Sequence, residues 1–446
     1  MAYINIEKLK FKYPLSESYV LSDISLEIEQ GQIVVICGKT GCGKSTLLRN
    51  FKKEISSSGE LEGTINIQTD NIGFVFQNPE HQIVTDKVFH ELAFVLENEG
   101  VPSDIIRLRV TEIAEYFGIT DWYFKSVGEL SGGQKQILNL ASVMVANPDV
   151  LILDEPISML DPIAKETLLH LLRRINRDFG TTIIMSEHDI GAVKDLADKI
   201  LVLEDGKLSN NTGLWEKELE EYNAIKKEVE YIPDEKVLSC KNVWFRYKKD
   251  EPDVLRGLDF SVNKGEIFCM LGGNGTGKTT ALLILSKVLK AYRGKVKTDK
   301  QIGLMPQDAK QLFACESVGE ELDEVYKDED KKNEVINMMG LVDLLKTHPY
   351  DLSGGEQQKL ALAKVLSNNP EIILLDEPTK GLDIFFKEEL AWLFKELKNQ
   401  GKSIIIVTHD LAFCKKIADR CGLLGQGELI GVNTAEEFFK NAKFYK

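Results

Sequence analysis

A chain of 446 residues is too long for one ordinary domain and sets an expectation of roughly two to four. Its 55 Lys and Arg against 70 Asp and Glu leave a formal charge of -15, which opposes a general attraction to polyphosphate, so nucleic acid is not an expected partner. The 43% hydrophobic and 28% charged content is that of a folded globular protein, and no apolar run approaches the roughly 20 residues that cross a bilayer, so any membrane role must come through another chain. Seven cysteines, at 37, 42, 240, 269, 315, 414 and 421, form no CxxC and no zinc spacing, which suggests a reducing cytosol.

In chain order, residues 3–13 alternate apolar and polar with period two, and read as a strand rather than a signal peptide. Residues 60–67 alternate likewise, so an antiparallel patch is expected beside the main sheet. Ile33–Cys37 is a buried apolar strand, and the loop GKTGCGKS follows it at 38–45, fitting GxxxxGK[ST] through Gly38, Gly43, Lys44 and Ser45. In such a loop the glycines let backbone N–H groups converge on phosphates, the next helix points its positive end at them, the lysine reaches the outer phosphates and the hydroxyl ligates magnesium.

Residues 85–147 hold no such strands and predict a mostly helical subdomain, within which LSGGQ at 130–134 places Ser131, Gly132 and Gly133 at a helix start. LILDEP ends a buried strand (150–153) on Asp154 and Glu155. At the phosphate end of a parallel sheet the first acid can hold the magnesium shell and the second can orient or deprotonate water. IIMSEHD closes a further strand (182–185) with His188, where an imidazole can contact a terminal phosphate, and 200–203 is another strand. Strands alternating with helices predict an α/β fold with a mainly parallel sheet.

The charged stretch from 214 to 231 reads as a linker helix or solvated tether, with a boundary near Tyr231 and domains 1–230 and 231–446. Beyond it the unit repeats, with strand 237–247, strand Ile267–Leu271, and GGNGTGKT at 272–279 through Gly272, Gly277, Lys278 and Thr279. Strand 294–297, LSGGE at 352–356 with Ser353, Gly354 and Gly355, ILLDEP ending on Asp376 and Glu377, and IIIVTHD with His409 complete it. The chain is a duplication.

Walker loop, glutamine, signature, paired acids and histidine in the same order twice make each half resemble an ATP-binding-cassette nucleotide-binding domain. In that family the two domains pair head to tail and sandwich ATP between the Walker loop of one and the signature of the other. The resemblance implies a first site of Gly38, Lys39, Thr40, Gly41, Cys42, Gly43, Lys44, Ser45 and Thr46, with Gln77, Asp154, Glu155 and His188, closed by Ser353, Gly354 and Gly355. The second implied site has Gly272, Gly273, Asn274, Gly275, Thr276, Gly277, Lys278, Thr279 and Thr280, with Gln307, Asp376, Glu377 and His409, closed by Ser131, Gly132 and Gly133. ATP and Mg2+ are the implied cofactors, the metal near Ser45, Gln77 and Asp154 and near Thr279, Gln307 and Asp376. Tyr13 and Tyr247 stand where the family places a ring under adenine. ISMLD and TKGLD match its interface loop through Asp161 and Asp383, although Ile157 and Met159 depart from the usual residues there.

QNPEHQIVTDKVFHELAF at 77–94 and PQDAKQLFACESVGEEL at 306–322 look like the coupling stretch of energy-coupling factor importers. That similarity implies an integral-membrane coupling subunit, a substrate-binding membrane subunit, uptake of a vitamin or metal ion, and a place on the cytoplasmic face of the cell membrane. The alternative is a soluble tandem-cassette ATPase acting on ribosomes, but such proteins carry a long basic linker, and the connection here is short and rich in glutamate.

Overall fold

The computed structural model describes residues 2–14, 16, 18–213 and 235–442, and the chain divides into two compact units. The expected boundary at 230/231 and the linker helix lie in 214–234, outside the described residues.

The first unit runs β1 (Ile4–Lys12), β2 (Leu21–Ile28), β3 (Ile33–Cys37), α1 (Lys44–Arg49), β4 (Glu60–Ile67), β5 (Ile72–Val75), α2 (Val88–Asn98), α3 (Ser103–Phe117), α4 (Gly132–Met144), β6 (Val150–Asp154), α5 (Pro162–Phe179), β7 (Thr182–Glu187), α6 (Ile190–Val193), β8 (Lys199–Glu204) and β9 (Lys207–Ser209). β3, β6 and β7 are buried at every position, as a parallel sheet covered on both faces requires of its central strands. Strand order is β5-β6-β7-β3-β8-β9, parallel except for β9. β2-β1-β4 form the expected antiparallel patch, whose apolar side, with Ile4, Leu9, Phe11 and Ile24, packs with Val34, Ile36 and Ile152 of the main sheet in one core. Residues 85–147 contain α2, α3 and α4 and no strand.

The second unit repeats the plan with β10 (Lys236–Phe245), β11 (Leu255–Asn263), β12 (Ile267–Leu271), α7 (Lys278–Leu285), β13 (Arg293–Lys297), β14 (Ile302–Met305), α8 (Val318–Val325), α9 (Glu329–Met339), α10 (Gly354–Leu366), β15 (Ile372–Asp376), α11 (Ile384–Asn399), β16 (Ser403–Thr408), α12 (Leu411–Ile417), β17 (Arg420–Gly425), β18 (Glu428–Thr434) and α13 (Ala435–Asn441). Its sheets are ordered β14-β15-β16-β12-β17-β18 and β11-β10-β13. Two α/β units, each with a mainly parallel sheet, an antiparallel patch and a helical subdomain, match the fold read from the sequence. Among the described residues no helix is long and apolar enough to cross a membrane.

This topology sets up the chemistry. In the first unit β3 lies between β7 and β8, with β6 on the other side of β7, all parallel. Their carboxyl ends therefore share one sheet edge, where the strand order reverses and ligands of such sheets bind.

Candidate active sites

At that edge the chain leaves β3 through Gly38 and enters α1 through Gly43. Gly43 and its counterpart Gly277 cap their helices at φ 103° and 99°, a backbone that a side chain rarely adopts. A Cβ on Gly38 would fall 2.6 Å from the Leu203 carbonyl oxygen, and one on Gly272 2.7 Å from that of Leu424, so both loops need glycine to pass the neighbouring strand. Lys44 is buried, and its Nζ donates to the carbonyls of Gly38 at 2.8 Å and Lys39 at 3.1 Å. Lys278 repeats this with Gly272 at 2.9 Å and Gly273 at 3.0 Å. The loop thus wraps its own ammonium, leaving Lys39, Thr40, Gly41 and Cys42 in the turn, and Gly273, Asn274, Gly275 and Thr276 in the other.

The acids close over these lysines. Lys44 Nζ is 3.1 Å from Glu155 Oε1, and Lys278 Nζ is 3.2 Å from Glu377 Oε1. Asp154 Oδ1 accepts hydrogen bonds from Ser45 Oγ at 2.9 Å and Ser186 Oγ at 2.8 Å. Burial pushes the Asp154 carboxyl above its ordinary 3.8, against the two hydroxyls. Burial does the same to Asp376, opposed by the Thr279 hydroxyl, and Asp376 Oδ1 is buried with no hydrogen-bond partner among the described residues. A hydroxyl beside a carboxylate that burial deprives of solvation is a hard oxygen-donor set, which fits magnesium.

Glu155 and Glu377 adopt φ 43° and 48°, a left-handed conformation that costs a non-glycine residue about 1–3 kcal/mol and has to be held by its surroundings. Gln77 Nε2 donates to Glu155 Oε2 at 2.9 Å. His188 Nδ1 lies 3.9 Å from that oxygen, whereas His409 Nδ1 lies 3.0 Å from Glu377 Oε2. Burial works to raise the Glu377 carboxyl, but the contacts of His409, then the charge of Lys278, bring it below its ordinary 4.5.

Tyr13 OH is 2.7 Å from Thr46 Oγ1 and Tyr247 OH is 3.0 Å from Thr280 Oγ1. Each ring stands edge-on to the phenylalanine two residues before it, at 5.0 Å. They are 38% and 57% exposed beside the P-loop helix.

Within each unit the Walker loop, the two acids and the histidine gather at one edge, joined in the first unit by Gln77. The signature residues stand elsewhere, on the helical subdomain. Ser131 caps α4 in a capping box with Gln134, and Ser353 caps α10 in one with Glu356. Gly133 and Gly355 allow close packing on the next helix: a Cβ would fall 2.9 Å from Ala164 Cβ and 2.3 Å from the Phe386 ring. Asp161 and Asp383 cap α5 and α11. Ser186 and Glu187, which touch the acid turn, belong to no motif; their signal in the sequence is the departure of MSEHD from the second copy's IVTHD.

A parallel sheet with a P-loop, a hydroxyl–aspartate pair at its foot (Ser45 with Asp154, Thr279 with Asp376) and a glutamate directly after that aspartate defines a P-loop nucleotide-binding protein, here in two copies. The sequence pattern of the ABC transporter family matches residues 21–158 and 255–380, and the chain belongs to that family. It is 37% identical to a protein of Bacillus thuringiensis subsp. konkukian provisionally named as an ABC transporter ATP-binding protein, over 100% of this chain and 94% of that one. A similarly named Treponema denticola protein is 31% identical over 96% of each. Among solved structures, RNase-L Inhibitor superposes with a TM-score of 0.66 at 22% identity, over 97% of this chain and 92% of that one. An archaeal ribosome recycling factor does so at 0.66 and 21% identity, over 97% and 91%; at that identity the likeness is one of fold. The chain is a tandem-cassette ATP hydrolase of the ABC type.

Proposed function

We propose that the two cassettes close around two ATP molecules and that hydrolysis drives a membrane importer of the energy-coupling factor kind. The observation that carries this reading is the doubled constellation in which Lys44 faces Glu155 and Lys278 faces Glu377, each pair above a hydroxyl and an aspartate. Lys44 and Lys278 neutralise outer phosphate oxygens, and Glu155 and Glu377 orient and deprotonate the attacking water. Gln77, which already bonds Glu155, and Gln307 would serve magnesium and the attacking water, and His188 and His409 would contact the terminal phosphate. Ser45 with Asp154, and Thr279 with Asp376, hold magnesium, which when bound supplies charge neutralisation of the transferring phosphoryl group. Ser353, Gly354 and Gly355 complete the first site from the other cassette, and Ser131, Gly132 and Gly133 the second, as a serine-capped helix start suits an anion.

The partners are an integral-membrane coupling subunit and a substrate-binding membrane subunit, reached at the cytoplasmic face through the segments after Gln77 and Gln307. The relatives' names, which refer to ABC transporters, support a transport role, and the likeness of 77–94 to coupling stretches supports the importer class.

Purifying the tagged full chain from detergent-solubilised membranes tests this. Integral-membrane subunits are expected to copurify, and recovery with ribosomal subunits instead would contradict the importer. In the same chain, Glu155→Gln with Glu377→Gln is expected to keep ATP binding while steady-state hydrolysis falls by more than about a hundredfold. Unaltered hydrolysis would reject the roles given to these acids.

A further inference from the structure

The two cassettes bring the same strands to the same register, yet the chain behind each glutamate is held differently. Ser186 and Glu187 end β7 where β16 has Val407 and Thr408, because Asp154 pairs with Ser186 and Asp376 with Val407. In the second cassette the backbone supplies the hold, with the Glu377 N–H donating to the Val407 carbonyl at 2.8 Å. In the first, side chains supply it. The Glu155 N–H donates to Ser186 Oγ at 2.9 Å, and the Ile157 N–H donates to Glu187 Oε1 at 3.0 Å. Pro156 has no N–H, so Ile157 is the first main-chain donor after Glu155.

Glu187 is fully buried, and its second oxygen has no hydrogen-bond partner among the described residues. Burial, and then the neighbouring charge of Glu155, hold its carboxyl well above the ordinary 4.5, which favours the neutral form. A carboxyl with one idle oxygen fills a core worse than an apolar side chain of the same volume. What distinguishes this position is the bond its other oxygen makes, to a turn that carries Glu155 at φ 43°. The second cassette places a threonine there.

We infer that Glu187 is a positioning residue of the first ATP site: by tying the main chain just after Glu155 it aims that carboxylate at the attacking water, and so makes the two ATP sites of one chain unequal. The inference rests on Glu155 as the group that activates water.

Single-turnover hydrolysis by the full chain, with ATP affinity and Tm measured alongside, separates the two assignments. Glu155→Gln is expected to remove the hydrolysis of one of the two bound ATP molecules. Glu187→Leu is expected to slow hydrolysis of that same ATP by about tenfold to a hundredfold, the upper end being what a misplacement of about 1 Å can cost. Its ATP Kd should stay within about twofold, and its Tm should stay level or rise, since a buried carboxyl has been replaced by an apolar group. Glu187→Gln keeps the acceptor for Ile157 and should restore most of the rate. If Glu155→Gln removes no hydrolysis, the reading of the site itself fails. If Glu155→Gln acts as expected, the Glu187 inference alone is overturned by any of three results: a parental rate in Glu187→Leu, a rate lost together with Tm, or a Glu187→Gln chain as slow as Glu187→Leu.

Discussion

Cys42 sits in the turn of the first P-loop, and its chemistry follows from its surroundings. Burial pushes the thiol above its ordinary 9.0, although Lys44 pulls the other way, and the thiolate is the reactive form. Alkylation at Cys42 is therefore expected to be slower at pH 7.5 than that of a free thiol, to quicken as pH rises past 9, and to be blocked by ATP. Mass spectrometry of the labelled peptide reads all three, and labelling that ATP leaves unchanged would remove Cys42 from the phosphate loop. At this scale most of the site was legible in the sequence, because Lys44, Asp154, Glu155 and His188 each stand at or just beyond the end of a continuous apolar run in a motif of fixed spacing. Glu187 showed only as a departure from the threonine of the second copy, with nothing to say what it does. A strand's last residue gives no sign that its side chain turns under a loop thirty positions upstream to meet the Ile157 N–H.

At the level of elements, the helices that begin with the signature depend on small residues on one side only. A Cβ at Gly355 would lie 2.3 Å from the Phe386 ring, whereas one at Gly132 meets nothing within 4 Å. Gly355→Ala is expected to destabilise the second unit by about 1–3 kcal/mol through overpacking, and Phe386→Ala in the same chain to recover part of that loss. Gly132→Ala should leave Tm level; equal Tm values for the two alanine variants would show that α10 does not pack on α11 as described. The strands without a clear mark in the sequence lack it for physical reasons. β9 spans three residues and β5 four, too few for periodicity to register. β2, by contrast, has a clear alternating burial pattern, and its place was fixed only by pairing with β1 across the connecting turn. The buried parallel strands were legible because continuous apolar runs have few other uses in a chain of this composition.

For the molecule as a whole, duplication is the central fact, and its copies are alike in the loop that wraps each lysine and unlike in what holds the acids. Gln77 bonds Glu155, His409 approaches Glu377 more closely than His188 approaches Glu155, and Val407 and Thr408 replace Ser186 and Glu187. Such differences reach beyond their own site only if each ATP is shared by both cassettes, so that one site's timing reaches the other half. Counting occluded ATP in the Glu155→Gln, Glu377→Gln chain tests this most directly. Ser131→Arg with Lys278→Ala places both lesions in the second shared site, so one ATP per chain is expected to remain trapped. Ser131→Arg with Lys44→Ala damages both sites, so none is expected. The reverse pattern, with ATP trapped by the second pair and lost from the first, would mean that each cassette binds its nucleotide with its own signature, and would contradict the shared sites.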